Sequence, residues 1–201
     1  MEFFAALPPE PPEERPTPPP VPEWVHPPKH EIPVAVPIVR RLARAPGVAL
    51  NLRRLDVYRT GVTIEVQFDL WREPGVDPER WAMLGELLHP RGHRPGPAGQ
   101  LRLGVTLGDG TRADAISGSR SVPPMQEPPT PPQLVIFGGR GSGAEDRWTS
   151  EVRAWLWPLP PAGPMTLHFV CEGLGITEGA LELDTTPILA ASLDARGVWE
   201  D

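Results

Sequence analysis

The sequence predicts an all-β protein: an antiparallel β-sandwich, immunoglobulin-like or jelly-roll-like, with one or two short helices and a disordered proline-rich N-terminal tail. Three observations predict it. Apolar residues recur at every second position in run after run, as half-buried strands require. Glycine- and proline-rich turn signals separate those runs. Strands and helices do not alternate in the βαβ rhythm that a parallel sheet needs.

Residues 1–32 hold eleven prolines and six acidic residues with few aliphatic side chains. Such a segment buries too little apolar area to offset the entropy of ordering, so it is expected to be a disordered tail, with Trp24-Val25 marking its junction with the body. Met1–Leu7 is a candidate apolar hook. A single β-sandwich domain is expected over 33–199.

Val34 to Val39 suits an edge strand, because Pro37 cannot donate to a central ladder. Pro46-Gly47 turns the chain into Val48, Leu50 and Leu52, whose alternation slips at Arg53-Arg54, the mark of a bulge. Val62, Ile64, Val66, Phe68 and Leu70 alternate with Thr63, Glu65, Gln67 and Asp69, and pair most simply with the preceding strand as a hairpin. Asp77-Pro78 caps a short helix from Pro78 to about Leu88, with Trp81, Leu84 and Leu88 at helical spacing. Leu101, Leu103, Val105 and Leu107 alternate up to the Gly108-Asp109-Gly110 turn, and a weaker strand returns over Thr111–Ile116.

Ser121 to Gln133 contains six prolines and reads as a surface connection. Leu134–Phe137 reads as a short buried strand, and Gly138 to Asp146 as a flexible loop. Arg147 to Glu172 is the strongest architectural signal: a strand, a turn of prolines around Gly163, and a second strand, together a central hairpin. Val152, Ala154 and Leu156 share one face of its first strand, while Glu151, Arg153, Trp155 and Trp157 share the other. Met165, Leu167, Phe169 and Cys171 form the apolar face of the second. Thr186-Pro187 starts a last helix, Ile188 to about Ala195, and Trp199 docks onto the body.

A net charge of −7 argues against a nucleic-acid partner. Arg40, Arg41, Arg44, Arg53, Arg54 and Arg59 make one local exception, read as a solvated face or as a patch for an anionic partner. One cysteine among 201 residues excludes an intramolecular disulfide and favours a reducing cytoplasm. No signal peptide or membrane-spanning run is legible, and no cofactor is expected.

Candidate chemistry is sparse. Gly138 to Gly143 follows a strand, as a phosphate loop does, but Ala144-Glu145 stands where Lys and Ser or Thr belong. His168 and Cys171 are three apart on a strand and point to opposite faces, which separates a base from a thiol. His26 and His30, and His89 and His93, share a His-Pro-x-x-His spacing, in loops and with no evident third ligand. The seven tryptophans are the remaining signal. Trp155 and Trp157 either lie under the chain's own segments or form an exposed platform beside Arg153; the rarity of large apolar patches on monomers favours the covered arrangement.

The run Trp155 to Pro164, with Phe169-Val170-Cys171-Glu172 and Gly175-Ile176-Thr177-Glu178, resembles a group of uncharacterised actinobacterial proteins carrying a W-P-L-P-P-x-G-P turn. The resemblance covers roughly residues 32–199, with a departure at Gly173-Leu174. It implies the same β fold and supplies no site. The functional expectation is a non-catalytic cytoplasmic module that binds an unknown protein partner. One alternative is a binder of carbohydrate or another small ligand that uses Trp155, Trp157 and Arg153. Another is a hydrolase built from Asp109, Asp114, His168 and Glu172.

Overall fold

The computed structural model describes residues 21–88, 100–117, 125 and 127–200. Strand alternation resolves into two stacked antiparallel sheets. The first contains β2 (Val34–Ala45), β3 (Val48–Val57), β4 (Val62–Trp71), β7 (Gln133–Gly143) and β8 (Arg147–Trp157), in the order β2-β3-β4-β8-β7. The second contains β5 (Arg102–Leu107), β6 (Arg112–Ile116), β9 (Pro164–Cys171) and β10 (Ile176–Asp184), in the order β10-β9-β5-β6. A two-stranded ribbon of β1 (Glu31–Ile32) and β11 (Arg196–Gly197) completes the sheet structure. Helices α1 (Pro78–Leu88) and α2 (Thr186–Ser192) and a 3-10 turn at Glu172–Leu174 fill the connections.

The inward alternate residues of both sheets form one core. Leu50, Leu52, Leu55, Ile64, Val66 and Phe68 meet Leu103, Val105, Met165, Leu167 and Ile176. Each such side chain contributes about 1.5–3 kcal/mol by leaving water, which is what holds the sheets face to face. The antiparallel sandwich and the helix at Pro78–Leu88 agree with the sequence reading, as does the edge position of β2. The register of β3 against β4 shifts between Leu52 and Arg54, where the alternation slips.

Four expectations are corrected. The segment 21–32 is part of the body, since Trp24 packs on Trp157 and Glu31–Ile32 pairs with β11; residues 1–20 of the expected tail lie outside the described residues. Gly138–Gly143 is no loop but the second half of β7, paired with β8 as far as Gly143↔Trp148. Glycine makes that pairing fit: a Cβ on Gly139 would stand 2.4 Å from the Glu151 carbonyl, and one on Gly143 2.1 Å from the Trp148 ring. Nor is Arg147 to Glu172 a hairpin. β8 belongs to one sheet and β9 to the other, so the proline-rich turn carries the chain across the sandwich. The last helix begins at Thr186 and ends at Ser192, earlier than its apolar pattern suggests.

Candidate functional site

The outward face of the five-stranded sheet gathers most of the chain's distinctive residues, and it has three parts. Its aromatic end is built from β8, whose odd-numbered residues point away from the core. Trp155 is wholly buried there, beneath a strap formed by residues 21–30. Its indole N–H donates to the Glu23 carbonyl at 2.7 Å, and the Tyr58 ring meets it edge-on at 5.4 Å. Trp24 in the strap lies 6.0 Å from Trp157, and His26 lies 4.8 Å from Phe137. Gly61 is required beneath the indole, because a Cβ there would stand 2.5 Å from Trp155 Cη2. The chain therefore covers Trp155 itself, which removes it as a stacking surface; Trp157 is half-buried beside Trp24.

The middle of the face is charged. Glu65 is only 7% exposed and sits between two guanidinium groups, Arg153 Nε at 3.2 Å and Arg54 Nη2 at 3.4 Å. Arg54 also meets Asp56 at 3.2 Å. A carboxylate this buried needs such partners, because an unpaired charge away from water is costly. Arg153 is thus committed to Glu65. Burial, with Asp56 nearby, pushes the Tyr58 phenol above its ordinary range.

The far end is open and polar. Asn51 Nδ2 donates to Asp69 Oδ2 at 2.9 Å, and Gln67 Nε2 donates to Asp69 Oδ1 at 2.5 Å. Trp71, two residues beyond Asp69 and so on the same face, is 55% exposed. Arg41 stands opposite Asn51 and Arg44 opposite Ala49 on β2, while Arg147 stands opposite Trp71 on β8.

The second sheet has a shallow depression on its outer face, lined by Arg102, Asp114, His168 and Glu178 with Gly104 among them. It exists because Gly104, paired with both Asp114 and His168, puts no side chain between them. His168 Nε2 hydrogen-bonds Thr106 Oγ1 at 2.9 Å. Of the four carboxylate and imidazole groups considered for a hydrolase, only Asp114 and His168 meet here, one strand apart. Asp109 is at the β5–β6 turn, bound by the Thr111 N–H at 2.9 Å and hydroxyl at 2.6 Å, which hold its carboxyl below the usual range. Glu172 opens the 3-10 turn. Cys171 is in the core, where burial pushes its thiol up to about 11; that is the opposite of what a nucleophile needs. Among the described residues no group of three potential metal ligands occurs. His89 and His93 lie outside the described residues.

The last distinctive place is the C-terminal corner. Arg59, in the β3–β4 turn, ties it together. Its backbone N–H donates to Glu31 Oε1 at 2.6 Å, its Nε to the Ala195 carbonyl at 3.0 Å, and its fork to both oxygens of Glu200. Glu200 also accepts the Gly197 N–H at 2.8 Å, and these bonds, that of Arg59 foremost, hold its carboxyl at about 2. On this pinned hook Trp199 is 86% exposed, so it does not dock onto the body as its sequence position suggests. Leu193, Ile32 and Val198 are exposed as well.

No protein-family model matches the chain, and no curated protein matches it. No helix among the described residues is long and apolar enough to cross a membrane. Trp71 and Trp199 escaped the sequence reading as functional residues, and Arg59 entered it only as one member of a basic run. Trp71 carried a usable signal, since it continues the outward alternation of Gln67 and Asp69. The role of Arg59 as a tie carried none, because its partners are far away in the chain.

Proposed function

We propose that this protein is a non-catalytic cytoplasmic interaction module, and that it presents Trp199 to a partner protein. The observation that carries the reading is the pinned corner: an indole 86% exposed, on a hook that Arg59 holds through Glu200 and Ala195. Exposed tryptophans dominate binding energy where they enter a partner's pocket, and prior ordering of the hook reduces the entropy lost on docking. Ile32 on β1 and Val198 just past β11 are exposed on the same ribbon, and Leu193 is exposed at the end of α2. A lone buried cysteine suits a reducing compartment.

The test is photo-crosslinking from position 199 in cells of the source organism. A small set of adducts, lost when Leu193 is changed to Ser and retained when Trp157 is changed to Phe, is the expected result. Adducts that track protein abundance and ignore Leu193→Ser would remove the reading. An adduct to a second copy of the chain would replace the partner with self-association.

A further inference from the structure

The open end of the five-stranded sheet's outward face uses none of the residues of the Trp199 corner, and the geometry points to a second activity there. We propose that it binds an acidic saccharide, a chain of hydroxyl-rich rings bearing carboxylates, with Trp71 as the stacking platform.

Three independent features converge. The first is the indole of Trp71, more than half exposed at the end of β4. A flat aromatic face offers a sugar ring a large apolar contact at small entropic cost. The second is the trio of Asn51, Asp69 and Gln67. A carboxylate only accepts hydrogen bonds, so both amide NH2 groups must turn toward Asp69, as the 2.9 and 2.5 Å contacts record. That fixes the two amide carbonyl oxygens as acceptors for hydroxyl protons, and each Asp69 oxygen keeps a lone pair for another. A preorganised row of acceptors beside an aromatic platform is what a polyhydroxyl ligand needs.

The third feature is charge. Arg41, Arg44 and Arg147 border this end, all exposed and none in an ion pair among the described residues. Asp69, two strands from Arg44, already accepts from the two amides. Asp146, which precedes Arg147, and Glu73, beside Gly47, lie near the same end, so the three arginines supply guanidinium forks at separate points of a mixed rim. Guanidinium forks match carboxylates in two-point fashion. With strands about 4.8 Å apart and alternate residues about 6.8 Å apart along a strand, Arg44 and Trp71 are roughly 12 Å from each other. That span suits an oligosaccharide better than a single ring. A nucleic acid is the competing polyanion, and the DNA arm of the experiment separates the two.

The experiment titrates the full-length protein with a galacturonic acid trimer, the matching neutral galactose trimer, and a single-stranded DNA oligonucleotide, followed by tryptophan fluorescence and calorimetry. Saturable binding of the acidic trimer is expected, at least about tenfold tighter than the neutral trimer or DNA. Trp71→Ala, and separately Arg41→Ala with Arg44→Ala, should each weaken it about tenfold or more. Both sites are exposed, so folding should survive, and unchanged circular dichroism checks this. Trp71→Phe, which keeps a ring, should retain part of the affinity. Absence of binding, indifference to Trp71→Ala, or DNA binding as tight as the acidic trimer would each overturn the proposal. None of these outcomes bears on crosslinking at position 199, so the two readings fail separately.

Discussion

Trp155 and Glu23 are 132 positions apart in the chain and are joined by one hydrogen bond, from the indole N–H to the backbone carbonyl at 2.7 Å. The bond closes the strap of residues 21–30 over the outward face, so a tryptophan on the wrong side of the sheet is nonetheless interior.

Trp155→Ala should cost about 3–5 kcal/mol, the usual loss for emptying a large buried aromatic site. Trp155→Phe keeps much of the contact and loses the N–H, so it should cost less, about 1–3 kcal/mol. Urea unfolding gives both numbers. Amide exchange in residues 23–26 should rise in the alanine variant; equal protection would mean that the strap is held by something else.

Glycines in β7 give a paired comparison. A methyl at Gly143 would meet the Trp148 ring at 2.1 Å, whereas a methyl at Gly138 meets nothing within 4 Å. Gly143→Ala should destabilise by about 1–3 kcal/mol through overpacking, and Gly138→Ala should stay within about 0.5 kcal/mol. Thermal melts of the two variants side by side test this, and the reverse order would contradict the pairing of β7 with β8 at Gly143.

Cys171 predicts an alkaline decline. An unfolded thiol ionises near 9, whereas burial raises the folded one to about 11. Below pH 9 both states keep the proton and no difference arises. Between pH 9 and 11 only the unfolded state loses it, so stability falls by roughly 3 kcal/mol and then levels off. Tyr58, also raised, adds to the fall above its own ordinary value of 10.0. Cys171→Ala should flatten the part that begins near pH 9; an unchanged curve would show that the thiol is not responsible. The native thiol should also resist alkylating reagents until the protein unfolds.

At the C-terminal corner, Arg59→Ala should release residues 195–200 with little change in melting temperature, because the ion pair with Glu200 is at the surface. Exchange of the Gly197 amide reads it. The Glu200 carboxyl is lowered to about 2, so its tether persists above the ordinary carboxylate range and is lost as pH falls toward 2. High salt should loosen the hook as well. Protection of Gly197 that ignores both salt and Arg59→Ala would show that other contacts hold it.

Local alternation made most of this fold legible. Val62 to Leu70 names its own two faces, and Asp77-Pro78 names the start of α1. Sheet membership was not legible in the same way. The turn after Trp157 is short and direction-reversing, which a hairpin and a crossover share, and only packing decides between them. Gly138–Gly143 misled for a related reason: glycine has low strand propensity, but here the Trp148 ring and the Glu151 carbonyl take the space a side chain would fill. For the site, Trp155 and Arg153 were found on their correct face, yet their commitments to Glu23 and Glu65 depend on residues 132 and 88 positions away. No pattern of nearest neighbours encodes such pairs.

The chain passes between the two layers three times, after β4, after β6 and after β8. The β5–β6 hairpin of the smaller layer is therefore threaded between β4 and β7 of the larger one, as β7–β8 is between β6 and β9, so the larger layer cannot be finished before part of the smaller one has been laid down. Cut anywhere between β4 and β9, the polypeptide would yield two fragments that each lack a neighbour for a greasy strand, and only their reunion would restore either. Assembly of this molecule should accordingly be all-or-none, with no half able to persist by itself.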